Sequence, residues 1–315
     1  MKISSQNLKK SICILLILIF ISCNKKQEKQ DAIQTKTEKP LSINDLEKET
    51  GYADVNGLKM YYEIYGTGEP IVLLHGSFMT IPLNWNKIIP ELAKTRKVIA
   101  IELQGHGRTA DIERPISYEG MADDVAALLD HLKIDKADIL GYSMGGGVTI
   151  QTAIRHPEKV RKMVIVSGVF KYDGWVKEAL DLYPLISAEM FKDSPIEKQY
   201  DSLSPTPGHF PEFVKKVMAP DLKPYNWKDD FTKTKMPAFI ILGDADGVTL
   251  DHAIEMYKMK GGGKMGDMTG LQESRMAILP GSTHQGIMEK TQWLLPMVNE
   301  FLDFKPQPQP TAAQH

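Results

Sequence analysis

Serine, acid and histidine occur in this chain in an order suited to nucleophilic catalysis. Gly141-Tyr142-Ser143-Met144-Gly145 reads G-x-S-x-G and separates a run of β-forming residues, ending at Leu140, from a helix-periodic segment that starts near Met144. Asp244 and Asp246 follow the apolar run 238–242, and His284 follows the run 276–279. A serine hydroxyl is a weak nucleophile near neutral pH, so an imidazole must take its proton as attack occurs. A carboxylate then fixes the histidine tautomer and stabilises the imidazolium. The glycines beside the serine have a mechanical reason. A serine on a sharp strand-to-helix turn sits in a strained conformation, where a neighbouring Cβ would clash. The turn also aims the first helix N–H groups, including that of Met144, at the place where an oxyanion would form. The chemistry indicated is acyl transfer to water through an acyl-serine.

Strand ends must deliver these groups. Residues 58–65 alternate and stop at Gly66-Thr67-Gly68, a strand and its turn. Residues 71–74 and 98–101 are unbroken apolar runs, as strands covered on both faces require. Residues 88–94 read as part of a helix. Ser117 caps a further helix, with Glu119 in its first turn and Met121, Val125, Leu128, Leu129 and Leu132 at helical spacing. Residues 137–140 lead into the serine turn, and 148–155 continue the helix beyond it until His156-Pro157. Strands over 163–166, 238–242 and 276–279 follow, with helices over 251–259 and 292–304. This alternation predicts an α/β fold, a mostly parallel central sheet with helices on both faces. Sites in such sheets form at the carboxyl ends of the strands, where Ser143, the two aspartates and His284 all fall. From 169 to 231 the rhythm breaks into a segment rich in Pro, aromatic and acidic residues, helical around 175–185 and 210–218.

With these elements in place, residues 57–304 resemble the α/β-hydrolase superfamily, which uses the chain order Ser, Asp, His. The resemblance implies several roles. Gly243-Asp244-Ala245-Asp246 matches the family pattern Gly-x-x-Asp with Asp246 as the acid, and Asp244 is then a turn residue. His75-Gly76-Ser77 is similar to the family's His-Gly-x motif, which implies the backbone N–H of Ser77 as the second oxyanion donor beside Met144, with Phe78 the fallback and His75 a structural hydrogen-bonder. Gly105-His106-Gly107-Arg108-Thr109, with Glu102 before it, resembles a structural turn signature of the family. The segment 169–231 resembles the mainly helical cap inserted after the sixth core strand. A serine at the turn argues against relatives with an aspartate there, such as haloalkane dehalogenases and soluble epoxide hydrolases. The expected activity is hydrolysis of small to medium carboxylic esters under a cap. Competing readings are a cofactor-free perhydrolase, a C–C bond hydrolase, a proline iminopeptidase-like peptidase and, outside catalysis, a surface binding protein on the same scaffold. Trp175, Tyr183, Phe191 and Phe213 either line a pocket or form the cap's own core. Met256, Met259, Met265 and Met268 cluster around the Gly261-Gly262-Gly263 loop, in an insert spanning 258–275, and read as core packing in preference to the edge of an adaptable apolar pocket.

The amino terminus carries separate information. Lys2, Lys9 and Lys10 precede an apolar run, 12–21, too short to span a membrane, as in a secretory signal. Phe20-Ile21-Ser22-Cys23 resembles a bacterial lipobox, which implies a signal peptide over 1–22 and lipid on Cys23. The expected location is therefore a bacterial membrane, held through acyl chains. Residues 23–50 are polar and read as a flexible tether, 51–304 as the hydrolase domain and 305–315 as a disordered tail. Of the two cysteines, Cys13 leaves with the signal and Cys23 takes lipid, so no thiolate nucleophile or disulfide remains. Removing 1–22 takes three of 38 bases and none of 40 acids, which leaves 35 against 40 and a net charge of −5. That mild acidity argues against nucleic acid as a partner. His131, His156, His209 and His252 share no metal-binding spacing, so neither metal nor cofactor is expected.

Overall fold

Along the strand Glu69–Leu74, Ile71 and Leu73 pack into one apolar layer and Val72 and Leu74 into another, all fully buried. This two-sided burial is what the unbroken apolar runs encode. The computed structural model describes residues 42–305. Its eight strands are β1 (Lys48–Val55), β2 (Leu58–Tyr65), β3 (Glu69–Leu74), β4 (Arg96–Ile101), β5 (Ala137–Tyr142), β6 (Val160–Val166), β7 (Ala238–Ala245) and β8 (Arg275–Thr283). They form one sheet in the order β1-β2-β4-β3-β5-β6-β7-β8. β1 with β2 and β2 with β4 are antiparallel, and the remaining pairs are parallel. The architecture is the expected α/β hydrolase fold.

The helices before the sixth strand are α1 (Ile81–Trp85), α2 (Ile89–Leu92), α3 (Tyr118–His131) and α4 (Met144–Arg155). Between β6 and β7 come α5 (Lys177–Leu182), α6 (Pro195–Leu203), α7 (Phe210–Met218) and α8 (Lys228–Lys233), and after β7 come α9 (Leu250–Met259), α10 (Gly266–Thr269) and α11 (Thr291–Asp303). α3 begins where Ser117 accepts the Gly120 N–H at 3.0 Å, and Met121, Val125, Leu128 and Leu129 form its buried stripe. α3, α4 and α9 cover one face of the sheet, and α1, α2 and α11 the other.

The segment between β6 and β7 folds as a mainly helical cap whose buried residues are continuous with the core. Lys171 and Asn226 pair as an antiparallel bridge at its neck. Farther out, Lys216 binds Asp111 at 2.6 Å and Thr80 hydrogen-bonds Gln199.

The structure corrects several boundaries. Residues 42–50 belong to the folded unit and not to the tether: Ser42 caps a turn that buries Ile43, and β1 starts at Lys48. β1 carries little sequence signal, because only its last residues alternate and its outer positions are exposed. α6 and α8 carry little as well, being short and mostly polar. Met256 is core, but Met265 and Met268 are 62% and 80% exposed. The signal, Cys23, the rest of the tether and most of the tail lie outside the described residues. Among the described residues no helix is long and apolar enough to cross a membrane.

Candidate active site

Ser143 joins β5 to α4 with φ 55° and ψ −117°, a backbone state that costs a non-glycine residue on the order of 1–3 kcal/mol. Its surroundings hold it there. A Cβ on Gly141 would lie 2.0 Å from the Gly145 carbonyl oxygen, and one on Gly145 would lie 2.0 Å from that of Leu74. Only glycine lets strand, turn and helix approach this closely. The Ser143 N–H donates to Val166 O at 2.9 Å, while Ser143 O accepts from Gly146 and Gly147.

β7 and β8 deliver the other two groups. Their register pairs Ala245 with Thr283, after an irregularity at Gly243, so Asp246 and His284 come next on adjacent strands. His284 Nδ1 stands 2.8 Å from Asp246 Oδ1, and His284 Nε2 stands 2.9 Å from Ser143 Oγ. An ionised carboxylate only accepts, so Nδ1 carries the proton and Nε2 is free to accept the serine O–H. The Asp246 side chain is fully buried whereas that of His284 is 28% exposed. Burial alone would raise the Asp246 carboxyl. Hydrogen bonds and charge from His284, with Ser167 O–H and Val248 N–H, outweigh it and hold the carboxyl below its ordinary range. Asp244 faces elsewhere, accepting the Gly281 and Ser282 N–H groups at 3.0 Å each and so tying the turn that precedes His284.

The turn after β3 completes the surroundings. A Cβ on Gly76 would lie 2.9 Å from the Tyr142 ring and 3.4 Å from Ser143 Cβ, so this turn stands directly beside the serine. Gly76 N–H donates to Asn84 Oδ1, and Phe78 adopts φ 62°. Among the described residues neither the Ser77 nor the Met144 N–H meets an acceptor. His75 is fully buried, with Nδ1 2.9 Å from Gly76 O and Nε2 accepting the Leu103 N–H at 3.1 Å. Burial pushes its pKa down to about 4, which makes it a neutral brace. Glu102 likewise braces backbone, taking the Ile81 N–H at 3.4 Å besides its own turn. It accepts the Arg108 N–H and guanidinium at 2.6 and 2.9 Å, and Gly107 (φ 52°) leaves room for its carboxylate.

Aromatic residues of the cap meet both the β3 turn and the catalytic histidine. Near the β3 turn, Phe78 meets Phe191 at 4.8 Å and Phe213 at 6.1 Å between ring centroids. On the histidine side, Trp175 stands edge-on to His284 at 5.5 Å and to Tyr183 at 5.7 Å. Two contributors were missed in sequence. Tyr142 O–H donates to His284 O at 2.9 Å, and Ser167 O–H donates to Asp246 Oδ2 at 2.5 Å. Ser167 had a signal, since it directly follows strand 163–166 and so falls at a carboxyl end like the others. Tyr142 had none, because its partner is 142 residues away. Among the described residues no group of three or more His, Cys, Asp or Glu is placed to hold a metal ion.

Known proteins resemble the chain in sequence and in fold. A family model for the alpha/beta hydrolase fold matches residues 69–261. A 2-hydroxymuconate semialdehyde hydrolase of Pseudomonas sp. (strain CF600) is 39% identical over 117 residues, covering 36% of this chain and 41% of that protein. A soluble epoxide hydrolase of Corynebacterium sp. (strain C12) is 36% identical over 141 residues, covering 44% of this chain and 46% of that protein. The chain thus spans under half the length of these curated relatives. Among solved structures, a thermophilic esterase from Thermogutta terrifontis superposes with a TM-score of 0.63 at 20% identity, over 81% of this chain and 98% of that one, a likeness of fold.

Proposed function

The chain belongs to the α/β hydrolase fold family, and within it we propose a serine hydrolase that cleaves carboxylic esters of small to medium size through an acyl-serine. The observation that carries this reading is the relay in which His284 stands 2.9 Å from Ser143 Oγ and 2.8 Å from Asp246. Ser143 Oγ attacks the ester carbonyl as its proton passes to His284 Nε2, and Asp246 stabilises the imidazolium. The carbonyl oxygen, now an oxyanion, takes the N–H groups of Ser77 and Met144, each such donor being worth on the order of a hundredfold or more in rate. His284 returns the proton to the leaving alkoxide, the alcohol departs, and the acyl-serine remains. A water molecule then gives a proton to His284 as its oxygen attacks the acyl carbon, the acyl–Oγ bond breaks, His284 returns that proton to Ser143 Oγ, and the carboxylic acid departs.

The test is hydrolysis of p-nitrophenyl esters of increasing acyl length by the full chain beside Ser143→Ala. Serine-dependent turnover with a length optimum is expected. A C–C bond hydrolase is the second reading, favoured by the stretch shared with the 2-hydroxymuconate semialdehyde hydrolase. It takes over if a folded protein reacts with a fluorophosphonate at Ser143 yet turns over no ester. We also propose that Cys23 carries lipid and holds the protein at a bacterial membrane. Cys23→Ser should move it from the membrane to the soluble fraction, and an unchanged distribution refutes the anchor.

A further inference from the structure

The aromatic groups at the β3 turn and at His284 differ in one respect: the histidine group leads to a buried carboxylate of the cap. Asp221, in the cap segment Ala219–Leu222, is 7% exposed. Tyr118 O–H donates to its Oδ1 at 2.8 Å and Tyr225 O–H to the same oxygen at 3.4 Å. Among the described residues Oδ2 accepts no hydrogen bond, and no cationic side chain pairs with the carboxylate. Burial raises its pKa to about 6. In its ionised form the charge is met by these two hydroxyls and, among the described residues, by no cationic side chain. A buried charge is costly unless it is paired.

Its surroundings suit a cation. Tyr118 meets Trp227 at 5.1 Å and Tyr225 at 5.6 Å, and Tyr225 stacks on Trp227 at 4.6 Å. Such ring faces attract an ammonium group. The cluster is also continuous with the catalytic groups. A Cβ on Gly147, one turn beyond Ser143, would lie 2.5 Å from the Tyr118 ring. The turn Tyr183–Leu185 packs against Ala219–Leu222, which carries Asp221, and Trp175 links Tyr183 to His284. At the β3 turn, by contrast, Phe78, Phe191 and Phe213 present only hydrocarbon.

We propose that Asp221 and the rings of Tyr118, Tyr225 and Trp227 form a subsite for a primary or secondary ammonium group, so that the favoured substrates carry a cation at one end. This rests on the ester-hydrolase reading. An ammonium N–H donates to Asp221 Oδ2 while the aromatic faces replace its water. The competing role for Asp221 is purely mechanical, a tie between cap and α3 through Tyr118.

The experiment compares kcat/KM for p-nitrophenyl 6-aminohexanoate and its methyl-ended isostere, p-nitrophenyl heptanoate. The wild-type chain should favour the amino ester by on the order of tenfold to a hundredfold. Asp221→Asn should erase that preference, the amino ester losing on the order of tenfold or more relative to heptanoate, and Tyr118→Phe should keep it. Equal kcat/KM in the wild type, or parallel losses on both esters in Asp221→Asn and Tyr118→Phe, overturns the proposal. A second readout needs no turnover and, in the wild type, no variant. Pentylammonium should slow fluorophosphonate labelling of Ser143 more than 1-pentanol does, and Asp221→Asn should abolish the difference. Serine-dependent heptanoate hydrolysis without ammonium preference leaves the ester reading standing and removes the subsite. Selective protection by pentylammonium without ester turnover leaves the subsite and removes the ester reading.

Discussion

Replacing Ser167 tests how the acid of the relay is held. Ser167 O–H donates to Asp246 Oδ2 at 2.5 Å, and that carboxylate otherwise takes His284, the Val248 N–H at 3.1 Å and the Gly243 N–H at 3.3 Å. Ser167→Ala removes the shortest of these from a fully buried carboxylate. A hydrogen bond to a charged group contributes about 1.5–3 kcal/mol net. If that support is felt when His284 becomes an imidazolium, kcat falls by about ten- to a hundredfold, since about 1.4 kcal/mol is a factor of ten. KM should stay within about twofold, because the group acts through Asp246 and not on the substrate. Ser167 also adopts φ 53°, which favours glycine. Ser167→Gly loses the same hydroxyl but relieves a strain of about 1–2 kcal/mol, partly offset by a freer unfolded chain. Steady-state kinetics and thermal unfolding of both variants therefore separate hydroxyl from backbone. The expected result is equal kcat losses with the glycine variant melting higher. Wild-type kcat in Ser167→Ala, or recovery of kcat in Ser167→Gly, refutes the reasoning.

Other consequences are equally direct. Asp246→Asn should lower kcat by about four orders of magnitude, whereas Asp244→Asn should change it only a few-fold and lower the melting temperature, because Asp244 braces the 281–282 turn; the reverse ranking in an ester assay would exchange their roles. Gly145→Ala drives a Cβ to 2.0 Å from Leu74 O, so it should cost more than about 3 kcal/mol or abolish folding, and a soluble variant that still labels with a fluorophosphonate contradicts the packing. His252 is buried, accepts the Phe170 N–H at 3.2 Å, and has its pKa pushed down to about 4, chiefly by burial. The unfolded chain protonates it near 6.5, so its contribution to stability is present above that pH and is lost as pH falls toward 4, by about 1.4 kcal/mol per unit. His252→Gln should lose stability less steeply than wild type between pH 6 and 5 in urea unfolding, and parallel slopes would refute the assignment.

Much of this was legible in the chain because it is local. A hydroxyl between two glycines at the junction of a β run and a helical run announces a strand–turn–helix, and the structure places Ser143 there at φ 55°. Unbroken apolar runs announced two-sided strands, and 210–218 was read with the bounds that α7 has. What failed was weakly patterned. β1 is a largely exposed edge strand and α8 a short polar helix, so their places come from pairing with β2 and from packing of α8 against α4 with Phe231 on Phe170, not from periodicity.

The sequence by itself determined the fold class, the serine, and the candidate strand ends, because each depends on side-chain period or on steric rules acting within a few residues. It left Asp244 and Asp246 open to residue-level reasoning, and only the family resemblance preferred one. The tertiary structure decided between them, since the β7–β8 register sets Asp246 level with His284 while Asp244 turns to the neighbouring backbone. It alone brought Tyr142 to the His284 carbonyl, Ser167 to Asp246, and Asp221 to Tyr118. Those contacts join residues 79 to 142 positions apart, and their geometry exists only once the sheet has closed and the cap has packed over it.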